Sequence, residues 1–345
     1  MLAGNDMAKV RTMQIQTVLG TIGLSDLGRT LMHEHLFIAF PGAEFDPTAE
    51  FDRETFVAEA ARRLRQLREE HGVCSFVDPC PIELGRDAGM MAEIAERSEM
   101  NVICTTGFYF EAMGLPVYWR ARTVEEIAEL YIREITHGIG RTGVRAGAIK
   151  VATGAPAITP LEAKFLEAAC IAQRATGVPI ITHTQDGVCG PEQQAAFRSG
   201  GVELHRCLIG HCCGNADPAY HRRVCEGGSY IGFDRIGLTR FQPDEVRADN
   251  LVRLVRAGYR ASIMMSQDRH CGWLGKLARQ VTPEEQARID QLKAAGDWPP
   301  PYTYLFTDFV PMLRQRGLSD SEIFAILDDN PRRFFAGEPL PLPNM

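Results

Sequence analysis

No apolar run in the 345 residues approaches the ~18 needed to cross a membrane as a helix. The N-terminal stretch MLAGNDMAKVRTMQIQ lacks an apolar core after a basic start, so no secretory signal is expected. Positive charge is not in excess. The chain carries 37 Lys and Arg against 44 Asp and Glu, a net charge of −7. Neither nucleic acid nor a membrane surface is therefore expected as a partner. The ten cysteines contain no CxxC pair and follow no regular spacing. They read as reduced thiols of a cytoplasmic protein, not as a disulfide framework or a cysteine zinc site. Repeats, low-complexity tracts and an interdomain linker are also missing. What remains is an ordinary globular mix, 45% apolar and 23% charged.

Within it, apolar runs alternate with amphipathic stretches. The candidate strands are TLMHEHLFIAF (30–40), CSFVDPC (74–80), NVICTTG (101–107), GAIKVAT (147–153), PIITHT (179–184), CLIGHC (207–212), SYIGFD (229–234) and SIMMSQD (262–268). Most are apolar on both faces, as in a parallel sheet covered by helices. Capping boxes at Thr123–Glu126 and Thr159–Glu162 start helices between them. Further helices are expected over 53–71, 87–100, 191–199 and 244–257. This alternation predicts an α/β fold, a single-domain (β/α)₈ TIM barrel over 1–345 with a lead-in at 1–16. A doubly wound open sheet is the runner-up. The irregular segment at about 270–304 is expected to be a long loop, a lid or pocket wall after the eighth strand. Gly138–Gly143 matches G-x-G-x-x-G, but a helix precedes it and a strand follows. It reads as a helix exit, not a dinucleotide site.

The chemistry starts at His33-Glu34-His35. Residues two apart on a strand share a face, so both imidazoles are expected to point the same way. Lys150 sits in the apolar fourth strand; His183, His211 and Asp268 end the fifth, sixth and eighth. Taken singly, each has a bland reading as a snorkelling stem or a satisfied core residue. Jointly they put six polar groups at one end of the barrel, where barrel active sites form. The other histidines (His71, His137, His205, His221, His270) read as surface residues. Imidazoles and a carboxylate suit zinc or its divalent neighbours, and this set exceeds the needs of one zinc. Two metals would use them all but need an anionic bridge, which an amine is not. A buried lysine favours its neutral form, and a neutral amine can take up carbon dioxide as a carbamate.

The chain resembles the phosphotriesterase family of the amidohydrolase superfamily, most closely its phosphotriesterase-like lactonases. The resemblance rests on LMHEH (31–35), AGAIKVATG (146–154), TGVPIITHT (176–184), LIGHCCG (208–214), GSYIGFDRIGL (228–238), MMSQD (264–268) and DNPRRFF (329–335). It implies that His33, His35 and Asp268 hold a buried metal, and His183 and His211 a more exposed one. Lys150, carboxylated, would bridge them together with a hydroxide. It implies two divalent ions, zinc first, with cobalt, manganese or iron as alternatives, and a homodimer. Asp268 would accept the hydroxide's proton. Tyr109 and Arg235 match a tyrosine and an arginine that lactonases carry beside the metals, and Trp273 is a candidate for lining an acyl channel. Without the resemblance, Arg235 reads as an ion pair with Asp234 or a surface residue. The organophosphate specialists place a histidine at the position of Arg235 and an acidic residue at that of Gly214. The expected reaction is therefore lactone hydrolysis, with weak hydrolysis of organophosphate triesters. The alternatives are a phosphotriesterase proper, a hydrolase of a small amide or sugar-derived ester, and an idle binding protein on the same scaffold.

Overall fold

Thr123 and Thr159 each accept a hydrogen bond from the backbone of the glutamate three residues on, and that glutamate answers the cap's own N–H. The helices they start, Val124–Thr136 and Pro160–Thr176, pack against each other on the outside of a sheet. The computed structural model describes residues 14–276, 282–294 and 300–341. Its strands are β1 (Gln14–Thr17), β2 (Gly20–Gly23), β3 (Arg29–Leu31), β4 (His35–Ala39), β5 (Val73–Asp78), β6 (Asn101–Gly107), β7 (Ala148–Thr153), β8 (Ile180–Thr184), β9 (Cys207–Ile209), β10 (Tyr230–Phe233), β11 (Ile263–Met265) and β12 (His270–Leu274).

β1 and β2 form a small antiparallel hairpin. β3 and β5–β11 form an eight-stranded parallel sheet in chain order, with helices between successive strands. The two edges meet near the site. Asp268 N–H donates to His33 O at 3.0 Å, and His35 N–H to Arg269 O at 2.7 Å. β12 pairs in parallel with β4, setting His270 opposite His35. The fold is thus a (β/α)₈ barrel. No helix among the described residues is long and apolar enough to cross a membrane.

Two apolar layers result. One lies between strands and helices. The other plugs the barrel interior with Met32, Val77, Ile103, Ala148, Ile181, Leu208, Tyr230 and Met264. Interior residues recur every second position. Two residues past Ala148, Ile181 and Tyr230 stand Lys150, His183 and Gly232, and two further on from Gly232 stands Asp234. The same alternation that fills the plug therefore delivers polar groups above it.

Three expectations need correction. The first strand is not continuous: Met32–Glu34 bends between β3 and β4, so His33 is not in a strand. The segment at 270–304 is not a plain loop. It opens with β12 and contains a helix, Pro283–Ala294, while 277–281 and 295–299 lie outside the described residues. The lead-in at 1–16 includes the start of β1, and its residues 1–13 lie outside the described residues. Gly138–Gly143 is a turn with left-handed glycines between helix Val124–Thr136 and β7, as expected of a helix exit.

Candidate active site

Each polar group arrives by a definite local route. Lys150 and His183 follow the strand alternation of β7 and β8. His211 comes after β9 in a left-handed conformation, φ 61°, and Asp268 comes after β11 at φ 53°. Non-glycine residues rarely adopt that region, and such local strain gathers at functional sites. It turns His211 inward, off the alternation that starts at the interior Leu208, whereas Asp268 keeps the alternation of the interior Met264.

The groups converge on the Asp268 carboxylate. Its Oδ1 lies 3.2 Å from His35 Nε2 and 3.7 Å from His33 Nε2. Its Oδ2 lies 3.7 Å from His211 Nε2 and accepts from Arg235 Nε at 2.9 Å. Lys150 Nζ is 3.3 Å from His33 Nε2. The ligand atoms of His33, His211 and Asp268 all lie within 4.8 Å of one another. Asp268 keeps 14% of its side chain open to solvent, whereas the His33 and His211 side chains keep 0% and 1%. Of these three groups Asp268 is the one most open to solvent.

His183 is the outlier. Its ring stands 4.5 Å from that of His211, yet both nitrogens already have partners. Nδ1 meets the Tyr109 hydroxyl at 3.2 Å and Nε2 meets Gln185 Oε1 at 3.0 Å. Tyr109 thereby stands against His183. Arg235 is buried and pairs with Asp268, not with Asp234, and it is not a surface residue. Its Nη1 is buried with no hydrogen-bond partner among the described residues. Trp273 sits half-buried in β12, its ring edge-on to His270 at 4.7 Å.

Sequence reasoning missed a supporting layer. Asp78, which ends β5, meets His35 Nδ1 at 3.2 Å and accepts from Leu36 N at 2.8 Å. Asp234 meets His211 Nδ1 at 3.0 Å and His33 Nδ1 at 3.3 Å. The available signal was an aspartate closing a buried apolar run, in FVDP and GFDR. Glu34 turns away from the other groups and accepts from Ser266 Oγ, Gln267 N and Arg269 N, so it fastens the two barrel edges together. His221 and His270 were expected at the surface. His221 is buried, bonded to Cys212 O at 2.9 Å, and the Nε2 of His270 is buried beside His35.

The electrostatics suit metal ligation. Burial, aided by Lys150, holds His33 well below its ordinary value. Burial with His211 does the same for His183, and burial with Arg235 lowers His211. Three imidazoles are therefore neutral and have lone pairs to give. His35 goes the other way: burial lowers it, but the Asp268 and Asp78 carboxylates outweigh burial and raise it. Burial raises Asp268, but His211, Arg235 and His35 outweigh it and keep the carboxylate ionised. Burial draws Lys150 down to about 8, so a fraction of it is neutral amine near pH 7.

Comparison with known proteins agrees. The model of the phosphotriesterase family matches residues 13–335. A "phosphotriesterase homology protein" of Mycobacterium tuberculosis is 35% identical over 332 residues, covering 93% of this chain and 97% of its own. An aryldialkylphosphatase of Saccharolobus solfataricus is 33% identical over 319 residues, covering 92% and 97%. The solved structure of a mutant Deinococcus radiodurans PTE-like lactonase superposes with a TM-score of 0.85 at 38% identity, covering 93% and 99%. With its barrel, its converging histidines and these relatives, the chain is a hydrolytic enzyme of the phosphotriesterase family.

Proposed function

We propose that the protein is a binuclear metal-dependent lactonase with weak activity on organophosphate triesters. The observation that carries this reading is the Asp268 carboxylate: one oxygen faces His33 and His35, the other faces His211 and Arg235. His33, His35, Lys150 and Asp268 would hold one divalent ion, and His183, His211 and Lys150 the other, once His183 releases a present partner. The donor set fits zinc, and cobalt, manganese or iron share its preferences. Bound there, such ions supply a Lewis acid for the scissile carbonyl and make water acidic enough to ionise near neutrality.

The chain's own groups supply the rest. The neutral Lys150 amine adds to carbon dioxide: an N–C bond forms, a proton leaves to solvent, and an anionic carbamate with two oxygens remains. Asp268 would accept the proton of the attacking hydroxide. The unpartnered Arg235 Nη1 is a donor for the substrate's carbonyl oxygen, and the Tyr109 hydroxyl stands against His183. Trp273 faces an acyl or alkyl tail. A phosphotriesterase proper is the second reading, favoured by the aryldialkylphosphatase relative. A small amide or sugar-derived ester is the third substrate class.

A small-molecule substrate is the partner in this reading, with neither nucleic acid nor membrane. All ten cysteines are free, as suits a reducing cytoplasm. A homodimer belongs to the same proposal. Exposed Phe45, at the end of a short 3-10 turn, and Val117 and Tyr118, in the short helix Val117–Arg120, offer apolar surface for it where Gly114 meets Pro41. Sedimentation equilibrium reads its mass.

The deciding experiment combines metal analysis with Asp268→Asn. The wild-type protein is expected to carry two divalent ions per chain and to turn over a lactone. The substituted amide keeps the shape but cannot accept the proton, so turnover falls by orders of magnitude while circular dichroism is unchanged. A near-normal rate, or a wild-type protein active without metal, overturns the reading.

A further inference from the structure

The carboxylate of Asp234 is fully buried at the centre of the barrel, one layer below the Asp268 carboxylate. It is the continuation of β10, two residues beyond Gly232. Its room is made by glycines. A Cβ on Gly232 would lie 2.4 Å from Asp234 Oδ2, and one on Gly210 would lie 3.1 Å from it. The neighbouring interior positions thus carry no side chain where this carboxylate stands.

Its two oxygens serve different histidines. Oδ1 accepts from the His211 backbone N–H at 2.8 Å and meets His211 Nδ1 at 3.0 Å. Oδ2 faces His33 Nδ1 at 3.3 Å without an aligned hydrogen bond, and neither of those two atoms has a hydrogen-bond partner among the described residues. An ionised carboxylate can only accept, so both Nδ1 atoms carry the proton. Both Nε2 atoms are then left as lone pairs, and both point at Asp268.

We propose that Asp234 is a positioning residue shared by the two halves of the site, a single carboxylate that fixes the ring orientation and tautomer of His33 and His211 together. The inference rests on the binuclear reading for its consequence, because His33 and His211 are assigned there to different ions. Outer partners of this kind orient ligating histidines and tune their basicity. Here one partner couples both ion sites, so a defect at one oxygen is expected to appear at one ion only.

Asp234→Asn separates the two oxygens. The His211 backbone N–H can only donate, so the amide oxygen stays on that side. The amide nitrogen then faces His33 Nδ1 and donates to it. His33 must accept there, its proton moves to Nε2, and that nitrogen no longer offers a lone pair toward Asp268. His211 keeps its tautomer. With zinc as the probe, the variant is expected to retain about one ion per chain where the wild type holds two. Side-chain ¹⁵N spectra of the metal-free proteins are expected to show His33 switched to the Nε2–H form and His211 unchanged. A merely structural Asp234 would lower thermal stability and leave tautomers and stoichiometry alone.

Two further measurements keep the test independent of whether Asp234→Asn is tolerated. In metal-free wild type, both His33 and His211 should give the Nδ1–H pattern; an Nε2–H pattern at either ring overturns the proposal. Gly232→Ala retains the carboxylate but would put a Cβ 2.4 Å from Oδ2 and 2.8 Å from Cγ, so the carboxylate must shift and the His33 signal is expected to change. Unchanged His33 signals in both variants also overturn it. A wild type that binds fewer than two ions, with both tautomers as expected, refutes the binuclear reading and leaves the positioning role standing.

Discussion

Arg235 donates its Nε to Asp268 Oδ2 at 2.9 Å while its Nη1, also buried, has no partner among the described residues. One guanidinium thus holds the group proposed to accept the proton and keeps a second donor in reserve. Its carbon lies 4.2 Å from the centre of the Phe241 ring, which fixes the plane of the fork. Arg235→Leu removes both donors. The expected loss in kcat/KM for a lactone is about 100-fold, or ~2.7 kcal/mol. Arg235→Lys keeps the charge without the fork and should recover only part of it. Steady-state kinetics on folded variants decides the matter, and rates within about threefold of wild type would take Arg235 out of the mechanism.

Lys150 offers a different kind of test, because its proposed role depends on a negative charge it does not itself carry. Lys150→Ala is expected to lower metal occupancy and abolish turnover. Short carboxylic acids added to that variant should restore part of the activity, since a carboxylate can replace the carbamate bridge. Full metal content and full rate in Lys150→Ala would disprove the bridge.

A pH dependence follows from Glu83, outside the ligand set. Its Oε1 accepts from Tyr109 N at 2.8 Å and its Oε2 is buried without a hydrogen-bond partner among the described residues. Burial pushes its carboxyl up to about 7. The native state therefore binds a proton that the unfolded chain, with a glutamate near its ordinary ~4.3, has already lost. Stability from this group is complete below the unfolded value and is lost as pH rises through about 7. Glu83→Gln can still accept from Tyr109 but cannot ionise. The melting temperature of Glu83→Gln relative to wild type should accordingly rise between pH ~5 and pH ~7.5. A constant difference across that range would show that Glu83 is not protonated in the fold.

Much of this was legible in the chain. Apolar runs and capping boxes placed the strands and helices, because local periodicity and cap chemistry decide those elements. Lys150 and His183 were legible for the same reason: they obey strand alternation. Asp268 also keeps the alternation of Met264, whereas His211, marked in the chain by its place at a strand end, turns inward only through left-handed backbone, which no periodicity reports. His33 depends on a bend within an apparently continuous run. Asp78 and Asp234 were passed over because a buried aspartate ending a strand looks like a turn residue until its partners are known. His270 looked exposed because β12 forms only by pairing with β4, more than two hundred residues earlier.

Substrate preference is the sharpest expectation, and it depends on what stands around the mouth. By the resemblance, Arg235 stands where a histidine is expected in organophosphate specialists, and Gly214 offers no carboxylate to continue a proton path. The connection after β10 is short and folded on itself. Leu238 N–H donates to Arg235 O at 3.1 Å, and Gly237 N–H donates to the Asp244 carboxylate at 3.0 and 3.1 Å. Such a wall is expected to leave little freedom for three bulky substituents around phosphorus. Protons must leave through Asp268 and solvent alone. That suffices for a lactone, whose ring opening keeps the leaving alkoxide tethered in the site until it is protonated. A phosphotriester must expel a separate group. For the best lactone, kcat/KM is therefore expected to exceed that for an aryl dialkyl phosphate by at least about 100-fold, or ~2.7 kcal/mol of transition-state stabilisation. One metal-loaded preparation assayed on both classes, by proton release and by chromophore, gives the ratio. Equal or reversed values would promote the phosphotriesterase reading, and failure on both with amide cleavage intact would promote the amide hydrolase.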